Sequence, residues 1–524
     1  MRRILVSIGI VLMLGTLAGF IAIRHGIGRD LAPTDATPEA STEVMTDPQT
    51  DPQTDPQTDP QTDPQTDPQT DPQTDPQTDP QTDPQVAAPA SEVGVAPTPV
   101  TPTAPEPVFL LDRPLRVVST RWEPAAPVLL AGGGAMTSTP GSPIENAHLR
   151  QVVRIVSRPT EVEEALALGG AVEGGADVAI LPFAAWVAAY EHLAALETEV
   201  FLVAGWSRGA DAFLLEPTLA AELTLPRTLA VAGDRSSPAT LALLMLASEM
   251  GATPENVRFV ASDAPEANVA TVEREGVDAE LRARGRVAWM SSADAARLAP
   301  WVVIAPRAFV RDHQPALVAW TDAFFAGAGQ LSRDVPAAAR TLSEISGAPP
   351  VVDLLRHLGT YTTIPVREQA QLLGLSGRDA LTLESLFARA WSIDRGIGVL
   401  TGPPPEQLPI ATGTIATLIR RETPPESPHI VFRPAPADAH VLARFPLELP
   451  RVTRNPAALD PLVARVGFIA GAFPRSSIRI AVPREKQAIA TAIIERVVSQ
   501  YGIDMARITV VQARDAHLEV MPSS

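Results

Sequence analysis

The chain has 524 residues, of which 45% are hydrophobic and 19% are charged, and its formal net charge is −18. Ten aspartates belong to one tandem repeat; without them the net charge is about −8, which argues against a nucleic-acid-binding surface. The chain has no cysteine, which excludes thiolate nucleophiles, cysteine-ligated zinc and disulfides and is compatible with an oxidising compartment. No cofactor is expected.

Residues 1–29 are predicted to anchor the chain in the inner membrane. Ile4–Ile23 is an uncharged, mostly apolar run of 20 residues, which matches the thickness of a bilayer core. Arg2 and Arg3 precede it and Arg24 follows it, and this slight bias favours an orientation with the rest of the chain in the periplasm. The alternative is a cleaved signal peptide, which would leave a soluble periplasmic protein.

Residues 30–107 are predicted to form a disordered linker. Thr46–Gln85 consists of ten tandem copies of Thr-Asp-Pro-Gln. Proline at every fourth position prevents helices and sheet ladders, and the repeat has no apolar residue to bury. We therefore expect a hydrated and extended spacer.

From Leu115 onwards the pattern predicts strands that alternate with helices. Strands are predicted at "LRVVST", "RQVVRIVS", "ADVAIL" and "TEVFLVAGW", with helices at "APVLLAGG", "TEVEEALALGGAVEG" and "PFAAWVAAYEHLAA". This alternation is typical of parallel βαβ units. It resumes after the proline-bounded passage Pro217–Pro226, and helical periodicity dominates from Pro315 to Arg421. We predict a two-lobed α/β domain over 108–421, with 108–216 and 303–421 in the first lobe and 217–302 in the second.

The order of these pieces resembles the periplasmic substrate-binding proteins of ABC transporters, in particular the sulfonate, nitrate and thiamine-precursor group. The matching stretches, within residues 113–421, are "LRVVSTRWEPAAPVLLA", "EVEEALALGGAVEGGADVAILP", "WSRGADAFLL", "TLAVAGDRSSPATLALLMLASEMGATPENVRFV" and "LAPWVVIAPRAFVRDHQPALVAWTDAFFAG". The resemblance implies a periplasmic-binding-protein-like fold of type II. It also implies a small anionic or zwitterionic solute as ligand and an ABC permease as partner.

The solute is expected between the lobes, because ligands of open α/β sheets bind outside the carboxyl ends of the strands. The first lobe is expected to contribute Ser119, Thr120, Arg121, Trp122, Pro182 and Phe183, and the floor Ser207, Arg208 and Gly209. The opposite wall is expected to contain Ser236, Ser237 and Thr240. A helix N-terminus there would attract an anion. The same residues also fit a simple helix cap that needs no ligand.

Two departures from the family pattern put the ligand in question. After "EREGVDAEL" the chain runs directly into "RARGRVAWMSS", without the expected strand that ends in a tryptophan-acid-proline segment. The stretch "AGGGAMTSTPGSPIENAHL" replaces a continuous helix. A structural or sensory envelope protein without a transport ligand is therefore the alternative function.

An enzyme is not expected, although "GWSRG" matches the G-x-S-x-G turn that exposes a serine nucleophile. Ser207 would need an acid and a histidine, for which Asp263 and His313 are the candidates. The following "ADAFLLEP" reads as a strand, whereas that turn must lead into a helix. Pyrimidine synthesis, known in some thiamine-precursor members, uses a cysteine-rich segment that is absent here.

Residues 424–524 resemble a degenerate OmpA-like domain, above all in "YGIDMARITVV". Strands are predicted at "HIVFRPAPADA", "SIRIAV" and "ARITVVQARDAHLEV", with helices between them. The family's peptidoglycan-binding loop would lie between Val482 and Arg484, where it is deleted, and Lys486 or Gln487 stands near the position of its arginine. Peptidoglycan is therefore not an expected partner.

Overall fold

The computed structural model describes residues 108–226, 228–273, 277–278, 280–281, 285–421, 432, 436, 438–450 and 456–522. The strands are β1 (Leu115–Ser119), β2 (Gln151–Ile155), β3 (Val178–Pro182), β4 (Thr198–Ser207), β5 (Asp211–Leu215), β6 (Leu229–Ala232), β7 (Val257–Val260), β8 (Val269–Glu273), β9 (Val287–Ser291), β10 (Pro300–Pro306), β11 (Tyr361–Thr363), β12 (Ala443–Pro446), β13 (Ser476–Val482), β14 (Ile508–Gln512) and β15 (His517–Pro522).

The α-helices are α1 (Trp122–Ala131), α2 (Pro143–Asn146), α3 (Pro159–Leu168), α4 (Phe183–Ala189), α5 (Pro217–Glu222), α6 (Pro238–Glu249), α7 (Arg307–Asp312), α8 (Gln314–Arg333), α9 (Val335–Ser343), α10 (Val351–Leu358), α11 (Val366–Leu372), α12 (Leu383–Gly396), α13 (Gly413–Arg421), α14 (Asp460–Ala472) and α15 (Gln487–Tyr501). No helix among the described residues is long and apolar enough to cross a membrane. The predicted anchor at 4–23 and the repeat lie outside the described residues.

The first lobe is built on a six-stranded sheet with the order β11-β4-β10-β3-β1-β2. Strands β1, β2 and β3 are parallel, and β10 runs antiparallel between β3 and β4. Every residue of β3 and β4 is buried, as expected for the apolar strands of a sheet covered on both faces. Helices α1 and α8 pack closely on one face, where a Cβ at Gly327 would lie 1.9 Å from the carbonyl oxygen of Pro127.

The second lobe is a five-stranded sheet with the order β7-β6-β8-β5-β9. The chain crosses into it between Ser207 and Asp211 and returns between Ser291 and Pro300. This sheet therefore begins before residue 217, where the second lobe was predicted to start. Strand β8 lies between β6 and β5, parallel to the first and antiparallel to the second.

The two-lobed α/β architecture is confirmed, and most predicted strands are present. The stretch between α1 and β2 contains only the four-residue helix α2, in agreement with the predicted interruption. Helices indeed dominate after residue 315, although β11 adds a short edge strand to the first sheet. Strand β8 was not predicted; it supplies a central strand of the second lobe whose end faces the first.

A third sheet, with the order β12-β15-β13-β14, forms the C-terminal domain together with α14 and α15. Most of the strand predicted at 429–439 lies outside the described residues, and the first strand of this sheet is β12. Only the short turn Arg484–Lys486 separates β13 from α15. One continuous hydrophobic core includes residues of α4, α6, α12 and α14, so this domain packs on the lobes.

Candidate functional site

A small recess lies where the two lobes meet beside the crossover. It is lined by Arg121, Glu123, Ala210, Glu273, Arg356, His357 and Thr360. Nη2 of Arg121, which precedes α1, lies 2.6 Å from Oε2 of Glu273 at the end of β8. This ion pair joins the first lobe to the second across the recess. The cavity of about 20 Å³ has room for about one water molecule, so a larger solute needs the lobes to move apart.

The local fold brings Arg121 to this position. Strand β1 ends at Ser119, whose Oγ donates a hydrogen bond to the carbonyl oxygen of Arg121 at 2.9 Å. Arg121 has an extended backbone (φ −148°, ψ 156°), and helix α1 begins directly after it. Burial lowers the pKa of Arg121, but Glu273 and Glu123 outweigh burial, and the net shift is upward. The guanidinium is therefore a permanent cation held at the carboxyl end of β1.

Glu123, in the first turn of α1, is the buried carboxylate of the recess. Its side chain is 7% exposed, and Oε1 lies 3.4 Å from Nδ1 of His357 and 3.9 Å from Nη1 of Arg121. Its Oε2 is buried without a hydrogen-bond partner. A buried carboxylate oxygen without a donor costs free energy until a donor reaches it.

Two further buried hydroxyls near this carboxylate have no hydrogen-bond partner, those of Thr120 and Tyr361. Burial raises the pKa of Tyr361 well above its usual value, and the negative charge of Glu123 raises it further. The phenol therefore stays neutral and can act as donor or acceptor. Unsatisfied polar atoms of this kind are uncommon in folded proteins, and three of the six found among the described residues belong to Thr120, Glu123 and Tyr361.

The floor residues form a hydrogen-bonded cluster at the crossover. Oγ of Ser207 donates to Oδ2 of Asp211 at 2.6 Å and lies 2.9 Å from Oγ of Ser292. The backbone N–H of Gly209 (φ +89°) donates to the same Ser292 hydroxyl at 2.8 Å. Burial raises the pKa of Asp211, and the hydrogen bond from Ser207 opposes this shift. The cluster ties the outgoing and returning crossover segments together.

The arrangement around Ser207 is not that of an exposed nucleophile. Ser207 ends β4, and the chain continues into β5 rather than into a helix. Its hydroxyl is buried and bonded to Asp211 and Ser292, and no hydrogen bond to Asp263 or His313 is present in the part of the chain that the structure describes. The hydrolase reading of "GWSRG" therefore lacks the required strand-turn-helix geometry.

The predicted wall of the second lobe forms a helix cap. Ser237 caps α6, with its Oγ accepting from the backbone N–H of Thr240 at 3.1 Å and donating to Oγ1 of Thr240 at 3.0 Å. Oγ1 of Thr240 lies 2.7 Å from Oγ1 of Thr271 on β8. Thr271 and Glu273 share one face of β8, since alternate side chains of a strand point the same way. Ser236 bonds instead to Asp234.

The other predicted residues lie around the recess or in the core. Trp122 is half-buried and packs against the core that includes α8. Pro182 and Phe183 are buried, and Phe183 contacts Trp186 with ring centroids 5.8 Å apart. Arg208 is largely exposed. The burial of the rest of its side chain lowers its pKa, and the nearby charge of Arg475 lowers it further. Of all the predicted residues, Arg121 is the one that lines the recess.

The sequence reading missed Glu123, Glu273, His357 and Tyr361. Glu123 directly follows Trp122, one of the predicted residues of the first lobe. Glu273 ends a strand that was not predicted, and His357 and Tyr361 come from the helical region far along the chain. No group of acidic and histidine side chains suited to a metal ion is present among the described residues.

No protein-family model and no curated protein matches this chain. Among solved structures, one described as the periplasmic sulfonate-binding protein SsuA from Methylobacillus flagellatus is 14% identical, with a TM-score of 0.42, over 60% of this chain and 96% of that one. A zinc-bound ligand-binding component of an ABC-type import system from Staphylococcus aureus is 9% identical, with a TM-score of 0.39, over 58% and 97%. The desulfurization enzyme DSZB is 11% identical, with a TM-score of 0.37, over 59% and 99%. These partial similarities include an enzyme beside binding proteins and assign no function to this chain.

Proposed function

We propose that this chain is an extracytoplasmic solute-binding protein, the substrate-binding component of an ABC-type importer, which closes on a small anionic or zwitterionic solute without chemistry. The observation that carries this proposal is the ion pair between Arg121 and Glu273. It places a permanent cation of one lobe against an acid of the other at the carboxyl ends of their strands, where α/β folds bind ligands. A carboxylate, sulfonate or phosphate of the solute takes the place of Glu273.

Binding requires that Glu273 release Arg121. The Glu273 side chain is 61% exposed and that of Arg121 is 28% exposed, so water reaches the pair and it stabilises the closed state only weakly. Opening of the lobes is proposed to add the residues predicted from the sequence, Thr120 and Trp122 in the first lobe and Ser237 and Thr240 in the second, none of which lines the closed recess. The solute can shift the equilibrium between the open and closed states only by the difference between its binding free energies for the two states.

The rest of the chain is proposed to hold this domain at the membrane. Residues 4–23 are the anchor, and the forty-residue repeat spans up to about 120 Å if fully extended as polyproline II. The C-terminal domain is proposed to be an OmpA-like domain without peptidoglycan binding, since the turn Arg484–Lys486 leaves no loop for a zwitterionic peptide. Fractionation should find the protein in the inner membrane, and purified sacculi should not sediment residues 424–524.

The proposal is tested by a thermal-shift screen of the full-length protein against small carboxylates, sulfonates, phosphates and their amino derivatives. A ligand at about 100 times its dissociation constant adds about 2.7 kcal/mol to the free energy of unfolding. At least one anion should raise the melting temperature, and Arg121→Gln should abolish that rise. A screen without any stabilising anion contradicts the proposal.

A structural or sensory envelope protein is the second candidate, and a separate observation favours it. The C-terminal domain bonds to the second lobe, where Arg444 N–H donates to the Leu223 carbonyl and Nε1 of Trp289 donates to the Leu442 carbonyl at 3.0 Å. It also bonds to the helical region of the first lobe, where Arg378 donates to the Ser499 carbonyl. Contacts with both lobes oppose their separation. Spin labels on the two lobes whose distance no anion changes would support this candidate.

A further inference from the structure

We infer that the solute is a zwitterion and that Glu123 binds its cationic end. This inference rests on the proposed function and names the class of solute for the same recess. Arg121 pairs with the anionic end of the solute through charge-assisted hydrogen bonds. Glu123 lines the same recess, and its buried Oε2 accepts no hydrogen bond from the described residues, so it can accept one from the solute.

The contacts of the two recess carboxylates differ in a way that assigns these roles. Glu273 is exposed and bonded to Arg121, so it acts as an internal stand-in for the anion and can swing into water. Glu123 is buried, and its contacts with His357 and Arg121, at 3.4 and 3.9 Å, both use Oε1. A carboxylate accepts hydrogen bonds only, so its free oxygen selects a donor, and an ammonium group pairs with its charge as well.

The surrounding groups fit a small ammonium group. The hydroxyls of Tyr361, whose pKa is raised in part by the charge of Glu123, and of Thr120, three residues before Glu123, are buried without partners among the described residues. Neither lines the closed recess, and opening of the lobes would have to bring them within reach of the ammonium hydrogens. A solute that carried only a negative charge would leave Oε2 of Glu123 unsatisfied and add an anion beside it. Such a solute would be disfavoured by like-charge repulsion.

Calorimetric titration of the full-length protein tests the inference with glycine, β-alanine and 4-aminobutanoate against acetate, propionate and butanoate, which lack the amino group. At least one zwitterion should bind about tenfold or more tightly than its matching acid. Glu123→Gln keeps the side-chain size and should abolish this preference while the unliganded melting temperature stays close to that of the wild type. Glu273→Gln is the matched control at the other carboxylate and should retain the preference.

Each other outcome overturns the inference. Acids that bind as tightly as the zwitterions, or a preference that survives Glu123→Gln, show that Glu123 does not bind a cation while the proposed function stands. Failure of all six compounds also overturns it. The broader anion screen then decides separately whether the proposed function fails.

Discussion

Two buried glutamates, Glu123 in the recess and Glu249 behind the second lobe, have opposite surroundings. Glu249 is 8% exposed, and its two oxygens bond to different arginines, Arg389 of α12 and Arg465 of α14. The Arg389 guanidinium also lies 3.8 Å from the ring centroid of Phe468. Glu123 is as deeply buried, yet one of its oxygens has no partner. The saturated carboxylate joins three parts of the chain, whereas the unsaturated one is available to a ligand.

Asp394 of α12 is a third buried carboxylate, 3% exposed. Burial raises the pKa of Asp394 to about 7, with no charged partner to oppose the shift. Both oxygens of Glu249 are paired, one oxygen of Glu123 is paired, and Asp394 has no charged partner among the described residues. Their substitutions should change stability in different directions, and the effect should follow the pairing rather than the burial.

The largest effect is expected at Glu249. Glu249→Ala removes the carboxylate that pairs with two partly buried arginines, although Arg465 keeps its hydrogen bond to the backbone carbonyl of residue 249. It should lower the free energy of unfolding by about 3 kcal/mol, measured by urea denaturation. The exposed Glu384 on α12 is the matched control, and its substitution by alanine should change stability by no more than about 0.5 kcal/mol. Equal effects at the two positions would show that the arginine contacts of Glu249 do not hold the domains together.

The next effect is expected at Asp394, with the opposite sign. The folded carboxyl binds its proton more tightly than the unfolded one, so its contribution to stability is present at about pH 4 and is lost as the pH rises towards 7. Asp394→Asn removes that loss and should stabilise the protein by at least about 2 kcal/mol at pH 8. At pH 4 the variant and the wild type should unfold alike. A stability difference that does not depend on pH would contradict the claim that burial raises the pKa of Asp394.

The smallest stability effect is expected at the cross-recess ion pair. Arg121→Gln breaks a pair whose acid is largely exposed and also removes the longer 3.9 Å contact with the buried Glu123. The free energy of unfolding should fall by about 1 kcal/mol, less than for Glu249→Ala. Its effect should instead appear as wider separation of the lobes in solution scattering. A large loss of stability without such opening would mean that Arg121 serves the fold rather than the site.

The sequence predicted the parts of the fold that have a local signal. Strand β4 is a buried run of ten residues, and the serine-proline start of α6 forms the expected cap. Strand β8 was missed because "VATVE" is short and ends in an acid, and most of its stability comes from neighbouring strands that are distant in sequence. Strand β12 was also missed, because it has four residues and pairs with β15, which is distant in sequence.

The candidate site was harder to predict, because its contacts join residues that are remote in the sequence. Arg121 was identified from its place after the first strand, but its partner Glu273 and the neighbour His357 come from other segments. The predicted hydroxyls of Ser207 and Ser237 are present at the expected strand and helix ends. Each hydroxyl donates to a nearby group, Ser207 to Asp211 and Ser237 to Thr240, and a linear pattern does not reveal these partners.

The role of the recess is tested most directly by titrating the best anion from the screen into the wild type, Arg121→Gln and Arg311→Gln. Arg311 is a matched control, since it is largely exposed and pairs with its neighbour Asp312. The anion should bind the wild type and Arg311→Gln alike and bind Arg121→Gln at least about tenfold more weakly, as expected for the loss of a charged hydrogen bond. Equal affinity of all three proteins would contradict a solute site at Arg121 between the lobes.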